Sequence, residues 1–293
     1  MSIVSGKILK SVGGFYTVEA PCGVLNCKAR GVFRVKNISP MAGDIASVQL
    51  DDNAEPLIVD IADRKNSIIR PPLANLDAAL LVVSTCEPAP NAFVLDKLIA
   101  IFESKDIEPV LVFTKKDKLV CSEFISIYEK IGFTVFAVDN TSGDGAEQVI
   151  SYIKGKTTAL IGNSGVGKSS LMNLIKPDLK ADTNEISKKL GRGRHTTRQA
   201  ELYKLDENTY IADTPGFSTV EIGKYGAIPS TELMGCFREF AEFNGKCRFN
   251  NCVHMKEAGC LVTEAVKNGI ISESRYGSYT RMYEEAKIAE NTY

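Results

Sequence analysis

The chain has 293 residues, enough for two or three domains that each bury a core, with 44% apolar residues and a formal net charge of -1. That balance excludes a protein driven as a whole toward nucleic acid or membrane surfaces, so any polyanion contact must be local. Residues 1–10 lack a stretch of signal-peptide length and no run approaches the ~18 apolar residues of a membrane span. A cytosolic protein is therefore expected, in which eight cysteines point to metal or buried thiols and not to disulfides.

Residues 1–64 predict a small β-rich unit. Short alternating segments at 6–9, 15–18, 32–35 and 45–48 are broken by Gly13-Gly14, Pro21 and the turn at 40–44. That spacing fits a five-stranded barrel of the OB type, and an SH3-like barrel gives the same pattern. Lys28, Arg30, Arg34 and Lys36 form a basic run here with no acid between Glu19 and Asp44. After Arg70-Pro71-Pro72 the rhythm changes. Nearly continuous apolar runs at 78–83, 109–113, 134–138 and 158–161 alternate with amphipathic helical segments at 93–103, 124–131 and 147–153. Buried strands alternating with helices predict a parallel sheet covered on both faces. A fifth strand, 210–212, runs into Asp213. Beyond about Val220 the reading is a helix over 230–243, a Cys/His-rich loop and further helical stretches to Tyr293. Few large aliphatics fall there, which suits a unit stapled by a metal. The fold class is multidomain α/β, with boundaries at 1–64, 65–222 and 223–293.

The strongest chemical signal is Gly162-Asn163-Ser164-Gly165-Val166-Gly167-Lys168-Ser169, followed by Ser170. It has the Gly-x-x-x-x-Gly-Lys-Ser pattern of a phosphate loop, with an apolar strand before it and a helix start after it. Backbone N–H groups and the helix N-terminus would cradle phosphates; Lys168 would meet the β- and γ-phosphates and the Ser169 hydroxyl would ligate Mg²⁺. Asp213-Thr214-Pro215-Gly216 follows a strand end, where Asp213 would hold the ion through water and the Gly216 N–H would meet the γ-phosphate. Between the two lies a run with Lys188, Lys189, Arg192, Arg194 and Arg198 and no acid. It reads as a switch loop, with Thr197 preferred over Thr196 to complete the Mg²⁺ shell.

Thr114-Lys115-Lys116-Asp117 ends the strand at 109–113, a suitable place for a base reader. The Asp117 carboxylate accepts from both donors of the guanine edge, worth about 1.5–3 kcal/mol; Thr114 in place of the usual Asn loses about 0.5–1.5 kcal/mol, so guanine stays preferred. A second base loop is expected at 139–143, without its usual Ser-Ala pair. In an ordinary GTPase the base reader follows the phosphate loop; here it precedes it, so the motif order is circularly rearranged. Finally, Cys247-x₄-Cys252-x-His254-x₅-Cys260 offers three thiolates and an imidazole, the donor set of a closed structural zinc site.

With these motifs, and with Arg30-Gly31-Val32-Phe33-Arg34, Gly43-Asp44, Arg64-Lys65-Asn66, the segment 70–77 and Arg194-His195-Thr196-Thr197, the chain resembles the circularly permuted GTPase family of small ribosomal subunit maturation (ribosome small subunit-dependent GTPase A). The resemblance covers almost the whole length. It implies an N-terminal OB barrel, a permuted GTPase domain and a C-terminal zinc-binding domain, one zinc ion, Mg²⁺ with GTP or GDP, and release from the subunit coupled to hydrolysis. It also points to His195 as the catalytic group. Phe217 stands where a glutamine usually orients water, so intrinsic turnover should be slow, on the order of 10⁻⁴–10⁻² s⁻¹. Contact with rRNA is expected at Lys28, Arg30, Arg34, Lys36 and at the basic run 188–198. A monomer with no membrane contact is expected. The competing readings are a P-loop ATPase or kinase in which 114–117 is accidental, and an RNA-binding zinc protein with a non-catalytic nucleotide site.

Overall fold

The computed structural model describes residues 1–31, 33, 39–51, 53–118, 121–179, 200–214 and 228–291. Strands β1 (Ser2–Val12), β2 (Phe15–Ala20), β3 (Gly23–Ala29), β4 (Ile45–Asp51) and β5 (Ala54–Ile61) close a barrel. Strand β1 pairs with both β2 and β4, β2 pairs with β3, β4 with β5, and the parallel β3–β5 contact completes the ring. The alternating sequence places Ile8, Val18, Cys27, Ala46, Val48 and Ile58 inside, and Phe33 packs in the same core. Of the predicted 32–35 strand only Phe33 belongs to the described residues, and its backbone is helical, not extended.

A two-stranded link, β6 (Ser67–Ile69) and β7 (Pro72–Ala74), leads to the central sheet. Its parallel strands are β8 (Ala78–Ser84), β9 (Glu108–Thr114), β10 (Thr134–Val138), β11 (Thr157–Ile161) and β13 (Tyr210–Asp213), in spatial order β10-β9-β8-β11-β13. Both faces are covered, which is why β8, β9 and β11 read as continuous apolar runs. Ala79 and Leu81 face a core shared with helices α1 (Ala92–Glu103) and α2 (Ser122–Ile131). Ala78, Leu80 and Val82 face the opposite core, with α3 (Ala146–Ile153) and α4 (Lys168–Ile175). From β8 the chain steps outward through β9 to β10, then returns to the other side of β8 as β11. That reversal opens a crevice at the carboxyl ends of β8 and β11.

The sequence reading omitted β12 (Glu201–Lys204), which lies antiparallel to β13. Its outer edge meets β1, with Lys10 opposite Glu201, so barrel and central sheet form one continuous eleven-stranded sheet. Ion pairs Lys10–Glu201 (2.6 Å) and Lys204–Glu19 (2.5 Å) flank that seam, and the Tyr210 hydroxyl donates to Glu19 at 2.8 Å.

The C-terminal unit packs on α1. The helix expected over 230–243 is broken into α5 (Ser230–Leu233) and two 3-10 turns, Met234–Cys236 and Arg238–Phe243. Gly235 weakens helix propagation, and the extended backbone at Phe237 sets its ring 5.3 Å from Phe240 and 5.2 Å from Tyr279. Helices α6 (Leu261–Lys267) and α7 (Glu273–Asn291) complete the unit. Arg275 of α7, fully buried, donates to Asp96 of α1 at 2.8 Å and to Glu239 at 2.7 Å. A buried guanidinium held by two carboxylates fixes the unit against the central sheet, because removing either partner strands a charge.

Candidate nucleotide site and metal centre

The phosphate loop joins β11 to α4 at the crevice. Close packing dictates two of its glycines. A Cβ on Gly162 would lie 2.5 Å from the Val82 carbonyl oxygen, and Gly167, the N-cap of α4, has φ +98° with neighbours that would crowd any side chain. Lys168 is buried, and its ammonium donates to the carbonyls of Gly162 (2.6 Å) and Asn163 (2.7 Å). Burial lowers its pKa to about 8, opposed by the charge of Asp213. Asp213 ends β13 opposite Leu160 of β11, and its own pKa is raised by burial against the pull of Lys168. The two strand ends thus bring Lys168, Ser169 at the first turn of α4, and Asp213 to one mouth. Thr214 anchors the turn by donating its hydroxyl to the Leu160 carbonyl. A lysine, a hydroxyl and a carboxylate around a backbone cradle fit a Mg²⁺-bound phosphate chain.

Thr114, Lys115, Lys116 and Asp117 leave β9 beside this loop. Lys115 has φ +61° and reaches across the loop, donating to the carbonyls of Glu87 and Gly165. Thr85 holds that left-handed backbone in place: its buried hydroxyl lies 3.0 Å from the Thr114 carbonyl and 2.9 Å from that of Lys115. Lys116 pairs with Asp144 at 2.7 Å, while Asp117 is exposed. Thr114 is fully buried and donates its hydroxyl to the Val166 carbonyl. In the loop after β10, the Asp139 carboxylate accepts from the N–H groups of Thr141 (2.8 Å) and Ser142 (3.2 Å) and from the Ser142 hydroxyl. These bonds, the Ser142 hydroxyl first, hold its pKa below the usual carboxylate value. Asn140 donates its amide to the Gly167 carbonyl at 3.0 Å. Sequence reasoning passed over Thr85, although a polar Ser84-Thr85 pair ending an apolar strand marks a place where side chains meet a crevice.

Cys247, Cys252, His254 and Cys260 converge as the spacing predicts, their ligand atoms all within 4.8 Å of one another. The His254 Nδ1 lies 3.6, 3.5 and 3.4 Å from the sulfurs of Cys247, Cys252 and Cys260. Tetrahedral zinc with Zn–S of about 2.3 Å and Zn–N of about 2.0–2.1 Å requires N···S edges near 3.6 Å. The donor set therefore fits zinc, with Nδ1 and not Nε2 as the imidazole ligand. His254 takes φ +60° to present that nitrogen. Its carbonyl and that of Met255 accept from the Tyr276 hydroxyl at 2.9 and 2.8 Å. Glu257 accepts from the N–H groups of Val253 (2.8 Å), Met255 (2.8 Å) and Lys256 (3.0 Å), bracing the knuckle.

Of the basic residues in the barrel, Lys28 lies 5.5 Å from the exposed ring of Phe15 and pairs with Glu55 at 2.6 Å, and Arg30 sits at the end of β3. Arg34, Lys36, Lys188, Lys189, Arg192, Arg194, His195, Thr197, Arg198, Gly216 and Phe217 lie outside the described residues.

Two family models match. Residues 5–58 match the RsgA N-terminal domain and residues 61–223 the RsgA GTPase. The chain is 45% identical to a small ribosomal subunit biogenesis GTPase RsgA from Caldanaerobacter subterraneus subsp. tengcongensis, covering 99% of this chain and 98% of that one. It is 40% identical to the protein of the same name from Geobacillus sp., covering 99% and 100%. Among solved structures, YjeQ from Thermotoga maritima superposes with a TM-score of 0.82 at 33% identity, over 97% of this chain and 99% of that one. YloQ, described as a circularly permuted GTPase, gives 0.79 at 32% identity over 98% and 96%. The permuted motif order, the strand order that accommodates it and these full-length likenesses agree: the chain belongs to the RsgA GTPase family.

Proposed function

We propose that this protein hydrolyses GTP as a late factor in maturation of the small ribosomal subunit, with slow turnover alone, stimulation by the subunit, and release coupled to hydrolysis. The observation that carries the reading is the meeting of base reader and phosphate loop at one crevice despite their reversed order in the chain, with Lys115 spanning from one to the other at 2.9 Å. In this reading the phosphate loop, residues 162–170, holds the nucleotide with Lys168 on the β- and γ-phosphates. Ser169, Thr197 and Asp213 serve Mg²⁺, Gly216 meets the γ-phosphate, and Asp117 reads guanine. On the family resemblance His195 orients the attacking water, a task for which Phe217 offers no hydrogen bond. Zinc on Cys247, Cys252, His254 and Cys260 is structural.

The unit boundaries are 1–64, 65–222 and 223–293. The first is an OB barrel, supported by its closure through β1 and its parallel β3–β5 pairing. Lys28, Arg30, Arg34 and Lys36, with the run 188–198, contact rRNA phosphates, so association should weaken as salt rises. A cytoplasmic monomer completes the reading; among the described residues no helix is long and apolar enough to cross a membrane.

Competition against a fluorescent GDP tests the base assignment. GTP should compete at least ten times better than ATP, the lower end of what a charged hydrogen bond contributes, and Asp117→Asn should shift preference from guanosine to xanthosine nucleotides. Equal competition by ATP, or a variant that keeps its guanine preference, removes Asp117 as the reader.

A further inference from the structure

Two departures from the usual guanine-site motifs adjoin: Thr114 stands where Asn is usual, and Asn140 lies in the loop that lacks the usual Ser-Ala pair. Strands β9 and β10 run parallel in register, with Thr114 opposite Val138, so Asn140 emerges two residues beyond Thr114's neighbour. Both side chains turn toward the same two residues of the phosphate loop. Thr114 donates to the carbonyl of Val166 and Asn140 to that of Gly167. They also share one space: a Cβ built on Gly167 would lie 2.5 Å from the Asn140 Nδ2, 3.4 Å from the Thr114 Oγ1 and 3.6 Å from the Thr114 Cβ. The Asn140 Oδ1 is buried and takes no bond from the described protein groups, so this amide is not a saturated core contact.

We infer that Asn140 is a positioning residue for guanine nucleotides, carrying from the end of β10 the amide that the base-reading tetrapeptide lacks at the end of β9. The inference rests on the guanine-nucleotide reading above. Thr114, one carbon shorter in reach, ties Val166 of the loop and the Val83 carbonyl of β8 (3.3 Å), and makes no bond to Gly167. Asn140 adds the second tie, to Gly167, and so locks the loop after β10 to the start of α4. The loop 139–143 and the phosphate cradle are then held at a fixed separation. Because the two side chains border the same spot, asparagine at 114 and asparagine at 140 exclude each other, and the amide belongs at one position or the other.

A double-mutant cycle reads this directly. Fluorescent GDP affinity is measured for the wild type, Asn140→Ala, Thr114→Asn and the double variant, with competition by inorganic pyrophosphate in parallel. Asn140→Ala loses one neutral hydrogen bond and should weaken GDP about two- to tenfold. Thr114→Asn crowds Asn140 and should weaken it by a similar factor. The double variant should return to within about twofold of wild type, a coupling that independent sites do not show. Pyrophosphate uses the phosphate loop but not the base pocket, so its competition should stay constant through the series. Where Thr114→Asn fails to fold, Asn140→Ala alone still decides, since GDP affinity must fall while pyrophosphate competition does not. Additive losses in the double variant overturn the inference, as does pyrophosphate affinity falling in step with GDP, which would make Asn140 a general prop of the loop. A wild type that prefers no guanine nucleotide overturns the proposed function and this inference with it; guanine preference with additive losses overturns the inference alone.

Discussion

The phosphate loop and the Cys/His cluster both offer sites suited to ions, yet they are built in opposite ways. The loop is made of backbone, and the parallel sheet on either side sets its shape. Gly162 packs on Val82, Gly167 on Asn140, and the Lys168 ammonium is held by two carbonyls of the loop itself. The zinc centre is made of side chains from a fourteen-residue stretch whose neighbours are turns and short helices. Its surroundings contain aromatic rings, with Phe240 and Tyr279 4.9 Å apart and His254 5.7 Å from Phe240, but few long aliphatic side chains. In the first case the fold positions the ligand. In the second, on the proposed reading, zinc would position the fold.

The largest expected effect lies on the zinc side of that contrast. Structural zinc contributes about 10–16 kcal/mol in isolated finger peptides, more than a unit of this size gains from its apolar core. Chelation, or Cys260→Ser, should expose the 245–262 stretch and the α7 face that carries Arg275 to proteolysis and hydrogen exchange. Binding of fluorescent GDP should be nearly unchanged. Protection of α7 that survives chelation would show the aromatic core sufficient and erase the distinction between the two sites.

A smaller effect tests the phosphate side. Burial lowers the Lys168 pKa to about 8, and a bound phosphate must raise it again by favouring the ammonium. Binding therefore takes up a proton only where the free protein has lost one. GDP affinity should be flat below pH 8 and fall above it, by up to about tenfold per pH unit, until the pKa of the bound state is reached. Lys168→Met should flatten that profile while leaving the unfolding midpoint of the nucleotide-free protein close to wild type, since the sheet and not the lysine shapes the loop. A profile that stays flat to pH 9.5 in the wild type would mean the lysine is solvated before ligand arrives.

The contrast also accounts for what the sequence made legible. Strands β8 to β11 and β13, the phosphate loop and the zinc ligands are all written in short-range patterns: continuous apolar runs, a fixed glycine spacing, four donors within one loop. β12 is not, because in Glu201–Lys204 only Leu202 is buried, and on the side away from its neighbour β13 it meets a strand from the far end of the chain, at Lys10. Arg64 and Asp44 carried resemblance without a stated role; the structure supplies one, a two-pronged pair at 2.7 and 2.8 Å that fastens the barrel to the link beyond it. Thr85 escaped because its contacts are long-range, and so did the bond that Asn140, within the expected 139–143 loop, makes to the phosphate loop. Their partners, Thr114 and Gly167, are neighbours only after the strands have assembled.

The central claim is that these parts serve a GTPase controlled by the small ribosomal subunit, and phosphate release from GTP with and without purified small subunits tests it most directly. Alone, the protein should turn over on the order of 10⁻⁴–10⁻² s⁻¹, as expected where no glutamine orients the water. Added small subunits should raise that rate severalfold or more, and large subunits should not. Equal rates with and without small subunits would contradict the account.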